Sequence, residues 1–324
     1  MAVIAIDLGG TKIAAAIFTR EGKPLDKAVA ALEGRGGKAV GKLIRAEIQR
    51  LLTAAVARRM NINAVGVCVP GISFAKTGTV WAPNIPGWKS YPLRTELERC
   101  LPPRNRDAHR NQPLRVHIES DRACYILGER WLGAARGCEN AIFLAVGTGI
   151  GAGILSDGRV LRGAHEIAGA IGWLALDRPF RNEYVRCGCF EYHASGAGLP
   201  RVARALAGAR RPAARQERGR AELTTQEIFK RYNHGDELAK EVLAQAVEFW
   251  GMAVANLVSL LNPERIIFGG GVFGPATQFL DAIHAEAKKW AQPVAIRQVK
   301  LRRSQLGADA GLYGAAYRAL EGGI

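Results

Sequence analysis

The chain of 324 residues lacks several features that mark particular classes of protein. It has no apolar run of the roughly 18–20 residues that a transmembrane helix needs, since the nearest candidate, 141–155, is interrupted by a Gly-Thr-Gly turn. The opening stretch from Met1 to Asp7 has no basic leader and soon reaches a carboxylate, so we expect no signal peptide. Hydrophobic residues at 48% and charged residues at 23% exclude wholesale disorder. These absences predict a soluble, cytoplasmic protein with no membrane partner.

Cysteine is also scarce, and its spacing shows no paired framework of the kind that small disulfide-stapled proteins have. We expect reduced thiols at all six positions, which are Cys68, Cys100, Cys124, Cys138, Cys187 and Cys189.

Acidic residues are in the minority. Asp and Glu number 29 against 45 Lys and Arg, which gives a formal net charge of +16. Much of the positive charge lies in 104–115 and 201–220, and neither segment interleaves basic residues with a run of aromatics. We interpret both as solvated loops and helix faces, with 207–220 a surface insertion, and expect no nucleic-acid partner.

The hydrophobic pattern predicts an α/β protein with two related halves. A strand over 2–8, a glycine turn and a second strand over 13–18 open the chain. The same strand–turn–strand pattern returns at 140–146 and 151–155. Further strands are predicted at 24–32, 64–69, 114–118 and 266–268, and helices at 38–60, 121–132, 237–261 and 311–320. Mixed sheets with packed helices suit this order of elements.

Three glycine-bearing turns are the main chemical signal. The first contains Asp7, Gly9, Gly10, Thr11 and Lys12. Glycine lets the backbone come close to an anion, whose oxygens the exposed N–H groups can bind. Thr11 can add a hydroxyl donor, and Asp7 can hold Mg²⁺ through water, because magnesium keeps several waters and few carboxylates.

The other two turns strengthen a signal that one turn alone carries weakly, because hairpins also use glycine for their geometry. The second turn contains Gly147, Thr148 and Gly149, and the third Gly269, Gly270 and Gly271. None is a P-loop, which needs Gly-Lys-Ser/Thr. Nor is the first a dinucleotide fingerprint, because it leads into a strand. The three turns together indicate phosphate binding.

Taken in order, these motifs resemble the ROK family of repressors and sugar kinases, within the actin-like ATPase superfamily. The resemblance covers nearly the whole chain. Its motifs are Asp7-Leu8-Gly9-Gly10-Thr11-Lys12, Val69-Pro70-Gly71, Pro83-Asn84-Ile85-Pro86-Gly87-Trp88, Asp121 with Leu127-Gly128-Glu129, Gly147-Thr148-Gly149-Ile150-Gly151, Glu191 with Ala194-Ser195-Gly196, Asn262-Pro263 with Gly269-Gly270-Gly271, and Leu306-Gly307-Ala308-Asp309-Ala310-Gly311.

The resemblance implies phosphoryl transfer from ATP to a sugar hydroxyl, usually the one on C6, with Mg²⁺. Asp121 falls on the position of the family's general base. It follows an apolar strand and opens a helix, whose dipole favours the ionised carboxylate. The alternative is that Ser120 and Asp121 only cap the helix, as Ser and Asp often do. The three turns in register favour catalysis.

Sugar contacts are also implied by the resemblance. Glu191 matches a ligand of a sugar hydroxyl, and Asn84 lies in a segment near the sugar, where an ordinary turn residue is a serious alternative. Gly71 can bring backbone close to the sugar. Ser120, where the family usually has Asn, and Asp121 complete the expected set.

Two polar groups of the family's Gly-Glu-x-Gly-His segment are replaced here by Ala170 and Trp173. Losing a partner of a buried sugar hydroxyl costs about 1–3 kcal/mol, so glucose specificity does not transfer safely. Trp173 can stack on an apolar sugar face, and plain packing is an equal alternative. His165 and Glu166 can supply replacement contacts, although a solvated loop pair is the simpler interpretation.

The family's zinc motif is degenerate in this chain. Its first two cysteine positions are Asn182 and Tyr184, and its His position is Trp173. Cys189 remains, with Cys187 nearby, and two cysteines do not make a closed tetrahedral site. We predict no structural zinc.

The resemblance implies two lobes around a cleft, 1–119 plus 305–324 and 120–304, that close when sugar binds. A homodimer is expected by resemblance only. The leading hypothesis is an ATP-dependent, glucokinase-like sugar kinase, with glucose, N-acetylated hexosamines and fructose as open substrates. A non-catalytic sugar sensor or regulator is the alternative, although the first turn starts at Asp7, so we expect no preceding DNA-binding domain. Nucleic-acid binding rests on charge alone.

Overall fold

The computed structural model describes residues 2–101, 114–210 and 223–322. Within the two basic segments, 104–113 and 211–220 lie outside the described residues, so the predicted surface insertion is described only up to residue 210. By their internal contacts the residues form two compact units. The first unit is Met1–Gly137, Val160–Ala168 and Gln305–Ile324, and the second is Cys138–Arg159 and Gly169–Ser304.

The strands of the described residues are short and mostly apolar. They are β1 (Ala2–Leu8), β2 (Lys12–Thr19), β3 (Pro24–Ala31), β4 (Ile62–Val69), β5 (Ile72–Phe74), β6 (Thr79–Trp81), β7 (Arg115–Ser120), β8 (Ala141–Val146), β9 (Ile150–Ser156), β10 (Arg159–Val160), β11 (Arg265–Gly269) and β12 (Lys300–Arg303).

The helices of the described residues alternate with these strands. They are α1 (Gly37–Ala57), α2 (Leu93–Glu98), α3 (Asp121–Leu132), α4 (Cys189–Ala194), α5 (Gly198–Arg210), α6 (Thr225–Asn233), α7 (Glu237–Leu261), α8 (Leu280–Trp290), α9 (Ala295–Gln298) and α10 (Ala310–Glu321).

The two main sheets have the same topology. The first has the order β3-β2-β1-β4-β7 and the second β10-β9-β8-β11-β12. In each, an antiparallel hairpin (β1–β2 or β8–β9) is extended by two parallel strands. The predicted mixed-sheet α/β fold is therefore confirmed, and the repeated pattern of the sequence corresponds to a repeated sheet.

Helices cover both faces of the first sheet, and for this reason β1 and β4 are almost continuously apolar. On one face, α1 buries a stripe at helical spacing, made of Val40, Ile44, Ile48 and Leu51. On the other face, α10 packs against β1, β4 and α3 through small residues. A Cβ at Gly66 of β4 would lie 1.9 Å from the carbonyl oxygen of Ala315, so only glycine allows this approach.

The contact between α10 and α3 also explains where the compact units divide. The predicted lobe boundary at residue 119 separates α3 from the first sheet, whereas α3 packs on α10 and belongs to the first unit. The division into two lobes with these bounds stays a prediction.

One statement from the sequence needs correction. By length and composition, α7 is apolar enough to cross a membrane, although we found no such run. The helix is mostly buried within the second unit, where Trp250, Val254 and Val258 contribute to the core. Its hydrophobicity is explained by this burial. Glu248 is the single charged residue of 242–261, but Gln245, Asn256 and Ser259 also interrupt the apolar residues, so a count of consecutive apolar residues misses this helix.

The close contact of α10 with α3 can be tested at Gly314. A Cβ at this position would lie 1.8 Å from the carbonyl oxygen of Cys124. We expect Gly314→Ala to lower the free energy of unfolding by about 1–3 kcal/mol or more, because backbone must move, despite alanine's better helix propensity. The measurement is urea denaturation.

Gly208→Ala in α5 is the matched control. No atom lies within 4 Å of a Cβ built there, so this variant is expected to be as stable as the wild type or more stable by up to about 1 kcal/mol. Equal stability of Gly314→Ala and the wild type would contradict the packing described.

Candidate active site

In the first unit, the carboxyl ends of three parallel strands meet at one edge of the sheet. Asp7 of β1 is paired with Cys68 of β4, and the next residue of β4, Val69, is paired with Ser120 of β7. Asp121 follows Ser120 directly and opens α3. The carboxyl edge of such a sheet is where α/β proteins bind ligands. The structure thus brings together two predicted site residues, Asp7 and Asp121, that are more than 100 residues apart in the sequence.

Ser120 is the N-cap of α3. Its hydroxyl oxygen accepts a hydrogen bond from the N–H of Ala123 at 3.3 Å. The capping interpretation of Ser120 therefore holds. Its hydroxyl proton is not used by this bond and can be donated to a ligand.

Asp121 is only partly exposed, and one carboxylate oxygen accepts a hydrogen bond from the N–H of Arg122 at 2.8 Å. The pKa of Asp121 is raised to about 6, mainly by burial and less by the charge of Asp7, with Arg122 opposing both. We expected the helix dipole to hold the carboxylate ionised. Desolvation outweighs that effect, and the group is poised slightly below neutral pH instead.

Asp7 also has a raised pKa. Burial raises its pKa to about 6, a hydrogen bond with the Cys68 thiol lowers it, and the nearby Asp309 raises it. A Cβ at Gly311 would lie 2.7 Å from Oδ2 of Asp7, so glycine at this position leaves room for the carboxylate. Two desolvated carboxylates with raised pKa values form a site that a cation would stabilise.

The first glycine turn joins β1 to β2, and the N–H of Gly9 donates to the carbonyl oxygen of Lys12 at 2.9 Å. Gly10, Thr11 and Lys12 are exposed. A Cβ at Gly10 would lie 3.7 Å from Cβ of Asn84, so the structure places Asn84 beside this turn.

Gly71 follows β4 and has φ +95°, a conformation that favours glycine. A Cβ there would lie 2.2 Å from the carbonyl oxygen of Trp81. Its own carbonyl oxygen accepts a hydrogen bond from Nη2 of Arg122 at 3.4 Å, next to Asp121. Gly71 is therefore required by backbone geometry at this edge of the sheet.

In the second unit, the other two glycine turns lie side by side at the carboxyl ends of β8 and β11. The N–H of Val272 donates to the carbonyl oxygen of Val146 at 3.0 Å. Gly270 has φ +88°, and a Cβ there would lie 2.4 Å from that same oxygen. The N–H of Gly196 donates to the carbonyl oxygen of Gly147 at 2.8 Å, which adds the Ala-Ser-Gly motif to the group.

Glu191 lies against the second turn. Its Oε2 accepts a hydrogen bond from the N–H of Ile150 at 2.7 Å, and a Cβ at Gly149 would lie 2.6 Å from that oxygen. Burial raises the pKa of Glu191. From the sequence we expected the glycine turns to bind phosphate and Glu191 to bind sugar, as separate groups. Within the second unit, Glu191 instead lies against Gly149 of the second turn.

The replaced positions of the Gly-Glu-x-Gly-His segment lie on the turn next to Glu191. Ala170 precedes the 3₁₀ turn Ile171–Trp173, and the Trp173 side chain is 57% exposed. This exposure argues against plain packing of Trp173. His165 is exposed, whereas Glu166 lies 3.9 Å from Nε of Arg162, so the pair is a surface feature with one weak ion pair.

Residues other than zinc ligands occupy two positions of the degenerate zinc motif. Asn182 is exposed, while Tyr184 is buried and hydrogen-bonded. Cys187 and Cys189 are free thiols, as are the other four cysteines, all of which fall within the described residues. Among those residues, no group of three or more His, Cys, Asp or Glu is placed to hold a metal. The absence of zinc stays a prediction.

Sequence reasoning missed Cys68, Arg122 and the polar contacts of Tyr184. The signal for Cys68 was available only through strand register, since it stands opposite Asp7. Arg122 follows Asp121 but contacts Gly71, 51 residues away.

The family model described as ROK family matches residues 3–321. The chain belongs to the ROK family. The fold of this ROK protein is the predicted actin-like ATPase fold, shared with its structural neighbours.

A solved ROK hexokinase from Thermus thermophilus is 32% identical to this ROK protein, with a TM-score of 0.78 and 99% of each chain covered. A ROK glucokinase from Streptomyces griseus, solved with glucose and AMPPNP, is 28% identical, with a TM-score of 0.73 and 99% and 100% covered. A xylose repressor from Caldicellulosiruptor bescii is 30% identical over 82% of this chain and 65% of its own length. Relatives of this ROK protein thus include enzymes and a regulator.

The buried carboxylates generate a stability prediction. A pKa raised from 3.8 to about 6 means that the ionised form costs folding free energy above pH 6, and that the cost vanishes below about pH 4. At pH 8 we therefore expect Asp7→Asn and Asp121→Asn each to raise the free energy of unfolding by up to about 3 kcal/mol. The gain should shrink as the pH falls from 6 to 4, in urea denaturation at each pH.

Asp26→Asn is the control, because the Arg58 guanidinium lowers the pKa of this partly exposed carboxylate. It should not stabilise the protein at pH 8. Asn variants at Asp7 and Asp121 that are less stable than the wild type at pH 8 would contradict the electrostatics described.

Proposed function

We propose that this protein is an ATP-dependent sugar kinase that phosphorylates a hydroxyl of a hexose or hexosamine, C6 being the expected position, with Asp121 as the general base. The observation that carries the proposal is the pair of carboxylates, Asp7 and Asp121, buried together at the carboxyl edge of the first sheet with pKa values of about 6. The hexokinase and glucokinase among its relatives support the same reaction class.

Asp121 suits a base that works near neutral pH. With a pKa of about 6 it is mostly ionised at pH 7, yet basic enough to accept a proton from an alcohol as the phosphoryl group is transferred. The hydrogen bond from the N–H of Arg122 holds one oxygen, and the other remains for the hydroxyl. Ser120 can donate its hydroxyl proton to the same sugar.

Mg²⁺ fits the first unit. Asp7 supplies a buried anionic oxygen ligand, and magnesium in phosphoryl-transfer sites is held by one or two carboxylates together with phosphates and water. Mg²⁺ supplies neutralisation of the charge that develops on the phosphate oxygens. The exposed residues Gly10, Thr11 and Lys12 suit the phosphates of ATP.

In the second unit, the adjacent turns at 147–149 and 269–271 are proposed as further nucleotide contacts, and Glu191 as a sugar contact. Gly71 and Asn84 are proposed sugar contacts of the first unit. Ala170 and Trp173 remove two polar groups of the family, so glucose, N-acetylated hexosamines and fructose all remain candidates. Exposed Trp173 suits stacking on an apolar sugar face. Cytoplasmic location and a homodimer remain part of the proposal.

A sugar sensor that does not turn over is the second candidate, and the similarity to a xylose repressor favours it. A sensor needs sugar binding but not a base. The two candidates therefore differ in what Asp121 does.

The deciding experiment measures ADP release with a panel of hexoses, hexosamines and their N-acetyl forms. For Asp121→Asn we expect kcat to fall by about 10²–10⁴-fold, because the amide cannot accept the proton, with the sugar KM changed much less. Asp157→Asn, at an exposed turn of the second unit, is the matched control and should keep wild-type rates.

Full activity of Asp121→Asn would rule out its role as the base. Sugar binding by the wild type without release of ADP for any sugar would favour the sensor.

A further inference from the structure

The segment that carries Glu191 is held by a small polar and aromatic cluster in the second unit. Tyr184 donates its hydroxyl proton to Oδ2 of Asp177 at 2.9 Å. The same hydroxyl oxygen lies 2.8 Å from Nε2 of His193. A phenol has one proton, and this one is used toward Asp177, so Nε2 of His193 must be the donor in the second bond. The three residues form a directed chain from His193 through Tyr184 to Asp177.

Tyr184 and His193 are buried, and Asp177 is partly exposed. His193 stacks on Phe249 of α7, with ring centroids 4.3 Å apart and an interplanar angle of 11°. Burial lowers the pKa of His193 and so favours the neutral imidazole, whose Nε2–H tautomer donates this hydrogen bond. Arg181 donates to the same oxygen of Asp177 at 3.0 Å and balances its charge.

His193 and Glu191 are two residues apart on the short helix α4, so they point to opposite sides of it. On one side, His193 joins α4 to Tyr184 and to α7. On the other, Glu191 joins it to the second glycine turn through the N–H of Ile150 at 2.7 Å. At the C-terminal end, Trp250 donates to the carbonyl oxygen of Ala194 at 3.0 Å. A helix of six residues has little stability of its own, so these contacts set its position.

We propose that Asp177, Tyr184 and His193 are positioning residues that fix α4, and with it the Glu191 carboxylate, without a metal. The inference rests on the proposed function only in its last step, the sugar contact of Glu191. Tyr184 occupies a position where the family resemblance places a zinc-binding cysteine. In this chain, a hydrogen-bonded tyrosine at that position helps to hold α4.

Tyr184→Phe removes one hydroxyl and keeps the ring. We expect hydrogen exchange of the amides of 187–197 to become about fivefold faster, since a hydrogen bond of this kind is lost, while exchange in β8 stays unchanged. The sugar KM should rise several-fold, with kcat and the ATP KM changed by less than about twofold. His193→Gln keeps a side-chain N–H donor and should retain most of the protection of 187–197 against hydrogen exchange. His193→Phe lacks the donor and should exchange as fast as Tyr184→Phe.

Tyr192→Phe is the matched control. Tyr192 touches the rings of Tyr184 and His193, and within the described residues its hydroxyl makes no hydrogen bond, so its removal should leave exchange and KM unchanged. Equal exchange of 187–197 in Tyr184→Phe and Tyr192→Phe would overturn the proposal. Faster exchange with an unchanged sugar KM would overturn the link to Glu191. An inactive wild type would remove the proposed function, and the exchange comparison would still decide on the cluster.

Discussion

The main constraint on this structure is the free-energy cost of burying two carboxylates at one edge of a sheet. Asp7 and Asp121 lie at the ends of β1 and β7, and desolvation is the main reason that both pKa values rise to about 6. A core that served stability alone would not retain them, because neutral side chains would cost less there. Functional sites retain desolvated charged groups, despite this cost in stability, when the groups take part in the chemistry. The base and the magnesium ligand of the proposed kinase follow from this one arrangement.

The repeated sheet gives two edges of the same geometry and different chemistry. In the first unit the edge carries acids, with glycine at Gly311 leaving space for one of them. In the second unit the equivalent edge carries two adjacent glycine turns, around Val146 and Gly270, whereas the first edge combines one glycine turn with its acids. In the proposed kinase, one supersecondary pattern supplies the base in the first unit and nucleotide contacts in both units, because the side chains that follow each strand differ.

Local signals explain what could be predicted from the sequence. The helices α3 and α7 begin and end at the predicted residues, because Ser120 caps the first and Asn262, in a left-handed conformation before Pro263, ends the second. The β1–β2 and β8–β9 hairpins could also be predicted, because the glycines of their turns are local signals. The short β5–β6 hairpin and the helices α4 to α6 carry weaker periodic signals, and the sequence did not reveal them.

Nonlocal contacts explain what could not be predicted. The pKa of Asp121 depends on Asp7, which reaches it through strand pairing, and on a burial that no local motif encodes. His193 stacks on a residue 56 positions later, and Glu191 binds an N–H 41 positions earlier. The residues that have a family motif could be chosen from the sequence, whereas the partners that tune them became visible only in the fold.

The most direct measurement is a crystal structure of the protein with a hexose and a non-hydrolysable ATP analogue. The account predicts one sugar hydroxyl oxygen within about 3 Å of the free carboxylate oxygen of Asp121, aligned with the terminal phosphate. A complex in which every sugar hydroxyl lies beyond hydrogen-bond reach of Asp121, with this carboxylate bound only to the N–H of Arg122, would contradict it.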